Sequence, residues 1–82
     1  MNHVKLLFFA TLRERAGTKS IELDVSDELT IQGLKDKLSV DYPKLKESMR
    51  SVLITINREY AFDEAVIPQN AEVAMFPPVS GG

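Results

Sequence analysis

Pro77-Pro78 is the feature that most constrains what this chain folds into. The run before it, Glu72-Val73-Ala74-Met75-Phe76, alternates as a strand does, with Val73 and Met75 on one face and Ala74 and Phe76 on the other. Proline has no N–H to give a β ladder and its φ is fixed, so the sheet stops at Pro77. The prolines send the chain outward as a stiff polyproline II segment, and Val79, Ser80, Gly81 and Gly82 carry no apolar pattern to fold it back. From Pro77 onward the chain reaches about 18–20 Å past the domain, at roughly 3.1–3.3 Å per residue. The expected division is a domain over residues 1–76 and a flexible tail over 77–82 that enters another molecule. Without a Cβ, Gly81 and Gly82 pass a narrow channel, and nothing hinders attack on the Gly82 carboxylate. Taken alone, a Gly-Gly end reads equally as a frayed terminus. After Phe-Pro-Pro-Val-Ser it is far more specific.

The chain's 82 residues suit one domain with a single core. With no cysteine, disulfides, thiolate metal sites and a cysteine nucleophile are excluded. Sulfur chemistry, if the chain takes part in any, does not run through its own thiol. No apolar run approaches the ~20 residues of a membrane span, and the basic start of a signal peptide is missing, so a cytoplasmic protein is expected. A net charge of −2 with mixed signs argues against nucleic acid as a partner.

Val4 to Leu12 reads as a first strand, apolar on both faces and therefore central: Val4, Leu6 and Phe8 on one side, Lys5, Leu7 and Phe9 on the other. Arg13 to Gly17 breaks the pattern as a turn. Thr18 to Val25 follows as a half-exposed strand forming a hairpin with the first, Ile21, Leu23 and Val25 facing inward. Thr30 is a helix N-cap before Ile31, Leu34, Leu38 and Tyr42 at helical spacing, with Lys35, Asp36 and Lys37 facing water. Gly33 inside this helix suggests a close approach to the sheet, and Pro43 ends the helix. Lys44 to Met49 adds a short turn, Val52 to Asn57 a third strand, and Tyr60 to Phe62 a short extended piece. Ile67 to Ala71 makes a turn with Asn70 at positive φ, and Glu72 to Phe76 is the last strand.

The order β-β-α-β-(short β)-β, with one amphipathic helix over a mixed sheet, is an α+β class order, that of the β-grasp (ubiquitin-like) fold. Its first and last strands lie parallel at the centre. One helix covers one sheet face, so Val4, Leu6, Phe8, Val73 and Met75 are expected to meet it. Leu7, Phe9, Ala74 and Phe76 then share the other face, as an interface or beneath covering loops. His3, alone and terminal, reads as structurally and chemically neutral, with no metal site. Asp27-Glu28 and Asp63-Glu64 read as solvated loop residues. Arg13-Glu14 reads as a surface ion pair, with partner contact by Arg13 as the alternative. No Gly-rich phosphate loop and no nucleophile–base set exist, so no stand-alone active site is expected.

Lys5-Leu6-Leu7-Phe8-Phe9-Ala10-Thr11-Leu12-Arg13-Glu14, followed by Gly17-Thr18, resembles the opening of the small subunit of molybdopterin synthase (MoaD-like). Glu72 to Gly82 resembles that family's end, and Thr30-Ile31-Gln32-Gly33-Leu34 and Ile56-Asn57 fall where its pattern expects them. Gln69-Asn70-Ala71 departs from the family's usual Asp-Gly-Asp, a change that Asn tolerates at positive φ. The resemblance implies a sulfur carrier with no cofactor of its own. An adenylating enzyme similar to ubiquitin-activating enzymes uses ATP and Mg to convert the Gly82 carboxylate to an acyl-adenylate, and sulfide then displaces AMP. The Gly82 thiocarboxylate delivers sulfur to cyclic pyranopterin monophosphate on the large catalytic subunit. Pro77, Pro78, Val79, Ser80 and Gly81 thread into that subunit's pocket, while Leu7, Phe9, Arg13, Ala74 and Phe76 form the docking face. The competing readings are a thiamin-pathway sulfur carrier, a ubiquitin-like modifier joined to lysines through Gly82, and a non-covalent β-grasp interaction module.

Overall fold

The computed structural model describes residues 1–78. Its elements are β1 (Asn2–Phe8), α1 (Thr11–Ala16), β2 (Ser20–Val25), α2 (Ile31–Asp41), β3 (Leu53–Ile56), β4 (Glu59–Tyr60) and β5 (Glu72–Phe76), with 3-10 turns at Pro43–Leu45 and Ser48–Arg50. The period-2 pattern of β1 sets the architecture. Asn2, Val4, Leu6 and Phe8 are fully buried, while His3 and Lys5 are exposed and Leu7 is half-buried. β1 pairs in parallel with β5, setting Leu6 beside Val73 and Phe8 beside Met75. β2 adds antiparallel to the free side of β1, and β3 antiparallel to β5, giving the order β2-β1-β5-β3-β4. Parallel first and last strands at the centre make this a β-grasp sheet, as the sequence predicts.

The inner face is closed by α2. Thr30 accepts the Gly33 N–H at 3.1 Å through its hydroxyl, capping the helix, a contribution of about 1 kcal/mol. Ile31, Leu34 and Leu38, spaced along one helical stripe, join Val4, Leu6, Phe8, Val73 and Met75 in one buried cluster. Gly33 does approach a neighbour closely, but not the sheet: a Cβ there would lie 2.6 Å from Leu29 Cδ1, in the segment before the helix.

The first strand ends earlier than expected. β1 stops at Phe8, and Ala10 turns the chain at φ 52°, a left-handed value that Ala rarely takes. Thr11–Ala16, read from sequence as strand end and turn, is a second helix. It turns Leu12 into the core, with Ala16 packed one helical turn later, and ends on Gly17 at φ 78°, whose N–H donates to the Arg13 carbonyl. β2 accordingly starts at Ser20 instead of Thr18, and the β1–β2 pair is joined through a helix.

Lys35 does not face water. Its side chain is only 13% exposed, and its ammonium lies 2.6 Å from the Asp63 carboxylate, tying α2 to the loop before β5. Asp63, expected to be a freely solvated loop residue, is therefore a partner in that tie. Among the described residues no helix is long and apolar enough to cross a membrane, and no group of three or more metal-ligating side chains assembles.

Candidate functional site on the outer sheet face

Strand register decides which side chains reach the face opposite α2. Leu7 lies beside Ala74, Phe76 is opposite Leu53, and Thr55 is opposite both Ala74 and Tyr60. Phe9, one residue past β1, donates its N–H to the Met75 carbonyl at 3.1 Å and so stays in register with β5. The Phe9 and Phe76 rings then stack, with centroids 4.6 Å apart and planes 10° from parallel. An aromatic pair in this geometry contributes about 0.5–1.5 kcal/mol beyond its buried area.

All five residues expected to form the face, Leu7, Phe9, Arg13, Ala74 and Phe76, lie around this stack. Their parts differ from the simple reading. Ala74 is buried and forms the floor between Leu7 and Thr55, so it offers shape more than contact. Arg13 makes no ion pair with Glu14 among the described residues. Its Nε donates to the Phe8 carbonyl at 3.4 Å, and its guanidinium carbon lies 6.0 Å from the Phe9 ring centroid. A cation over a ring face gains about 0.5–1 kcal/mol at an exposed site.

Beside the stack lies an open groove of ≈ 470 Å³, lined on one side by Phe9, Phe76 and Pro77 and on the other by Leu53, Arg58 and Tyr60. Leu53, Arg58 and Tyr60 escape a reading of the sequence. Tyr60 reaches this face because Ile56 pairs with Glu59 and Thr55 with Tyr60 across a two-residue turn, Asn57-Arg58. Asn-Gly at that turn signals a hairpin, but here arginine stands where glycine is usual.

Pro77 is half-buried at the groove and Pro78 is exposed. The expected tail positions Val79, Ser80, Gly81 and Gly82 lie outside the described residues. The segment leading to them leaves the sheet from the central strand β5, at the groove's edge.

The opposite end of this face is charged. His3, expected to be neutral in structure, is held between two carboxylates of β2: Nδ1 lies 2.9 Å from Asp24 Oδ1 and Nε2 2.6 Å from Glu22 Oε1. The bond to Glu22, then that to Asp24, raises the imidazole pKa above its usual 6.5. At the same edge Asp27 is held below its ordinary range, first by the amide of Gln69 and then by the amino terminus. Outward residues thus run from a carboxylate–imidazole cluster at one end to an aromatic groove at the other.

A β-grasp sheet whose central strand passes into a Pro-Pro segment beside an aromatic groove defines a small protein of the ubiquitin-like class. The sequence pattern of the ThiS family matches residues 6–82, and the chain belongs to that family. It is similar to the molybdopterin synthase sulfur carrier subunit of Dictyostelium discoideum, with 39% identity covering 99% of this chain and 98% of that protein. The subunit of the same name in Arabidopsis thaliana is 35% identical, covering 96% of this chain and 82% of the relative. In structure, the chain is similar to the small archaeal modifier protein 1 of Methanosarcina acetivorans, with a TM-score of 0.83 and 29% identity, covering 100% of this chain and 98% of that one.

Proposed function

We propose that this chain is the sulfur carrier subunit of a molybdopterin synthase, charged at Gly82. The observation that carries this reading is its end-to-end similarity to the Dictyostelium sulfur carrier subunit. The resemblance to sulfur carrier subunits implies chemistry at the Gly82 carboxylate, and the chain has no cysteine to offer in its place. A carboxylate is a poor electrophile until it bears a good leaving group. An adenylating enzyme supplies one by transferring AMP from Mg-bound ATP to Gly82, releasing pyrophosphate. Sulfur at the sulfide level displaces AMP and leaves a thiocarboxylate, a soft anionic nucleophile that acts on cyclic pyranopterin monophosphate without any thiol from the carrier.

A subunit so charged requires a second, catalytic subunit. The groove beside Phe9 and Phe76 supports docking of that large subunit, since an apolar concavity rimmed by aromatic rings is well suited to take an anchor side chain. The stiff Pro77-Pro78 segment would carry Val79, Ser80 and Gly81 away from the docked domain and bring Gly82 into the partner's pocket. Binding of a buried anion there requires Lys or Arg from the partner.

The test is the intact mass of the chain after co-expression with the adenylating enzyme. A sulfur-for-oxygen increase located at Gly82, absent when Gly82 is deleted, is expected. An unmodified terminus under activating conditions overturns the reading. Similarity to a small archaeal modifier protein supports a second reading, conjugation of Gly82 to lysines. That reading requires higher-mass adducts that survive denaturation, and their absence removes it.

A further inference from the structure

Arg58 occupies a position that its own backbone disfavours. Asn57 and Arg58 form the two-residue turn between β3 and β4, with φ of 49° and 73°. Two successive left-handed residues are the geometry for which Asn-Gly is preferred, and a side chain at the second is disfavoured relative to a right-handed conformation. The turn is also held rigidly. Asn57 donates its backbone N–H to the Glu72 carbonyl at 2.8 Å and accepts the Glu72 N–H through its side-chain oxygen at 2.9 Å. The hairpin tip is thereby fixed to the first residue of β5, the strand that ends at Phe76 and Pro77. Strain at a rigid, exposed position points to use of the side chain it carries.

That side chain faces the aromatic groove. Among the described residues Arg58 is the one charged group in the lining of a concavity otherwise made by Phe9, Phe76, Pro77, Leu53 and Tyr60 and their small neighbours. No carboxylate lines it, and among the described residues none lies within ion-pairing distance of Arg58. An apolar trough with a single cation at its rim is complementary to one kind of guest: an apolar side chain with a carboxylate close beside it. Arginine reads that carboxylate in a forked, two-bond geometry which lysine cannot reproduce.

We propose that this groove captures a segment of the large subunit in which an apolar anchor is paired with an Asp or Glu, and that Arg58 holds the carboxylate while Phe9, Phe76 and Tyr60 hold the anchor. This rests on the sulfur-carrier reading and adds the chemistry of the partner's contact surface. Arg58 fixes register, and the left-handed turn is the device that presents it.

The experiment uses the full chain and its large synthase subunit, with affinity measured against salt concentration for the wild type, Arg58→Gly and Arg58→Lys. Arg58→Gly relieves the strained φ, so it is expected to melt no lower than wild type. It is expected to bind about tenfold more weakly, with a shallower salt dependence, because a charge-assisted hydrogen bond is lost. With Arg58→Lys, a carbodiimide is expected to couple the new amine to an Asp or Glu adjacent to an apolar residue of the partner. Unchanged affinity and salt dependence in Arg58→Gly, or no cross-link from position 58, overturns the inference while leaving the carrier reading intact. A wild-type chain that does not bind the large subunit at any salt concentration overturns both. A cross-link joining two copies of this chain assigns the groove to self-association and also overturns it.

Discussion

Phe8 and Phe9 are adjacent, identical in chemistry, and opposite in fate. Phe8 is completely buried on the inner face, among Leu6, Met75 and the residues of α2. Phe9 points to the outer face, half-exposed, where its main support is the stacked ring of Phe76 and the guanidinium of Arg13. The same division runs through β5: Val73 and Met75 are at zero exposure while Phe76 is half-buried beside a groove. One face of the sheet is therefore closed by the chain itself. The other is left with two aromatic rings holding each other and a concavity that nothing in the described chain fills. Stability and recognition are separated by a single pleat.

That separation breaks if the two phenylalanines prove interchangeable. Phe8→Ala removes a fully enclosed ring and is expected to cost about 3–5 kcal/mol, enough to unfold a domain of this size or leave it marginal. Phe9→Ala exposes a face already half-open and is expected to cost about 1 kcal/mol, chiefly the ring–ring term. Denaturant unfolding of both, with the large-subunit affinity of Phe9→Ala, checks the pair. Phe9→Ala is expected to stay folded and lose at least about tenfold in binding, as an anchor aromatic does. Equal stability losses would show that the outer face belongs to the core.

Asn2 sharpens the inner half of the comparison. It is the one fully buried polar residue among those described, on the face that otherwise carries Val4, Leu6 and Phe8. Its amide donates to the carbonyls of Ile67 and Pro68 at 3.0 and 2.8 Å and accepts the Asn70 N–H at 2.8 Å. These bonds hold the left-handed Asn70 turn that leads into β5. Asn2→Ala leaves those backbone groups without partners and is expected to cost about 1–3 kcal/mol. Thermal melting checks the value. Asn2→Asp is expected to be at least as damaging, since a carboxylate cannot donate to the two carbonyls.

Local signals were legible in the sequence, and contacts distant along the chain were not. β5 has the bounds expected from alternation ended by proline, Thr30 caps α2, and Asn70 takes positive φ at 56°. Each depends on one or a few consecutive residues. α1 is not legible because six residues make a weak helix, which burial of Leu12 stabilises. Helical spacing alone puts Lys35 on the wet side, because its partner, Asp63, lies 28 residues away. On the candidate face, Phe9 and Phe76 could be read from the pleat. Tyr60 could not, since its orientation depends on a hairpin turn that arginine disguises.

The smallest expected effect lies at the charged end of the outer face, where it asks whether that end contributes to stability at all. His3 sits between Glu22 and Asp24 on β2, with Lys5 next along the same face of β1. The two carboxylates raise its folded-state pKa, so the imidazolium is preferred in the folded protein. Its stabilising contribution is fully present below the unfolded value of about 6.5 and declines as pH rises through the raised folded value. His3→Gln is therefore expected to melt slightly below wild type at pH 6 and to converge on it as the pH rises through the raised folded value, with the whole difference reduced by added salt because the cluster is exposed. Asp27 provides the opposite sign within the same edge. Its carboxyl is held low, so its contribution is present above the usual carboxylate range and disappears only on acidification. Melting both His3→Gln and Asp27→Asn against pH separates the two: the first should diverge from wild type on lowering pH to 6, the second only lose its difference at far more acidic pH. A His3→Gln curve parallel to wild type would mean that the carboxylate clamp holds nothing.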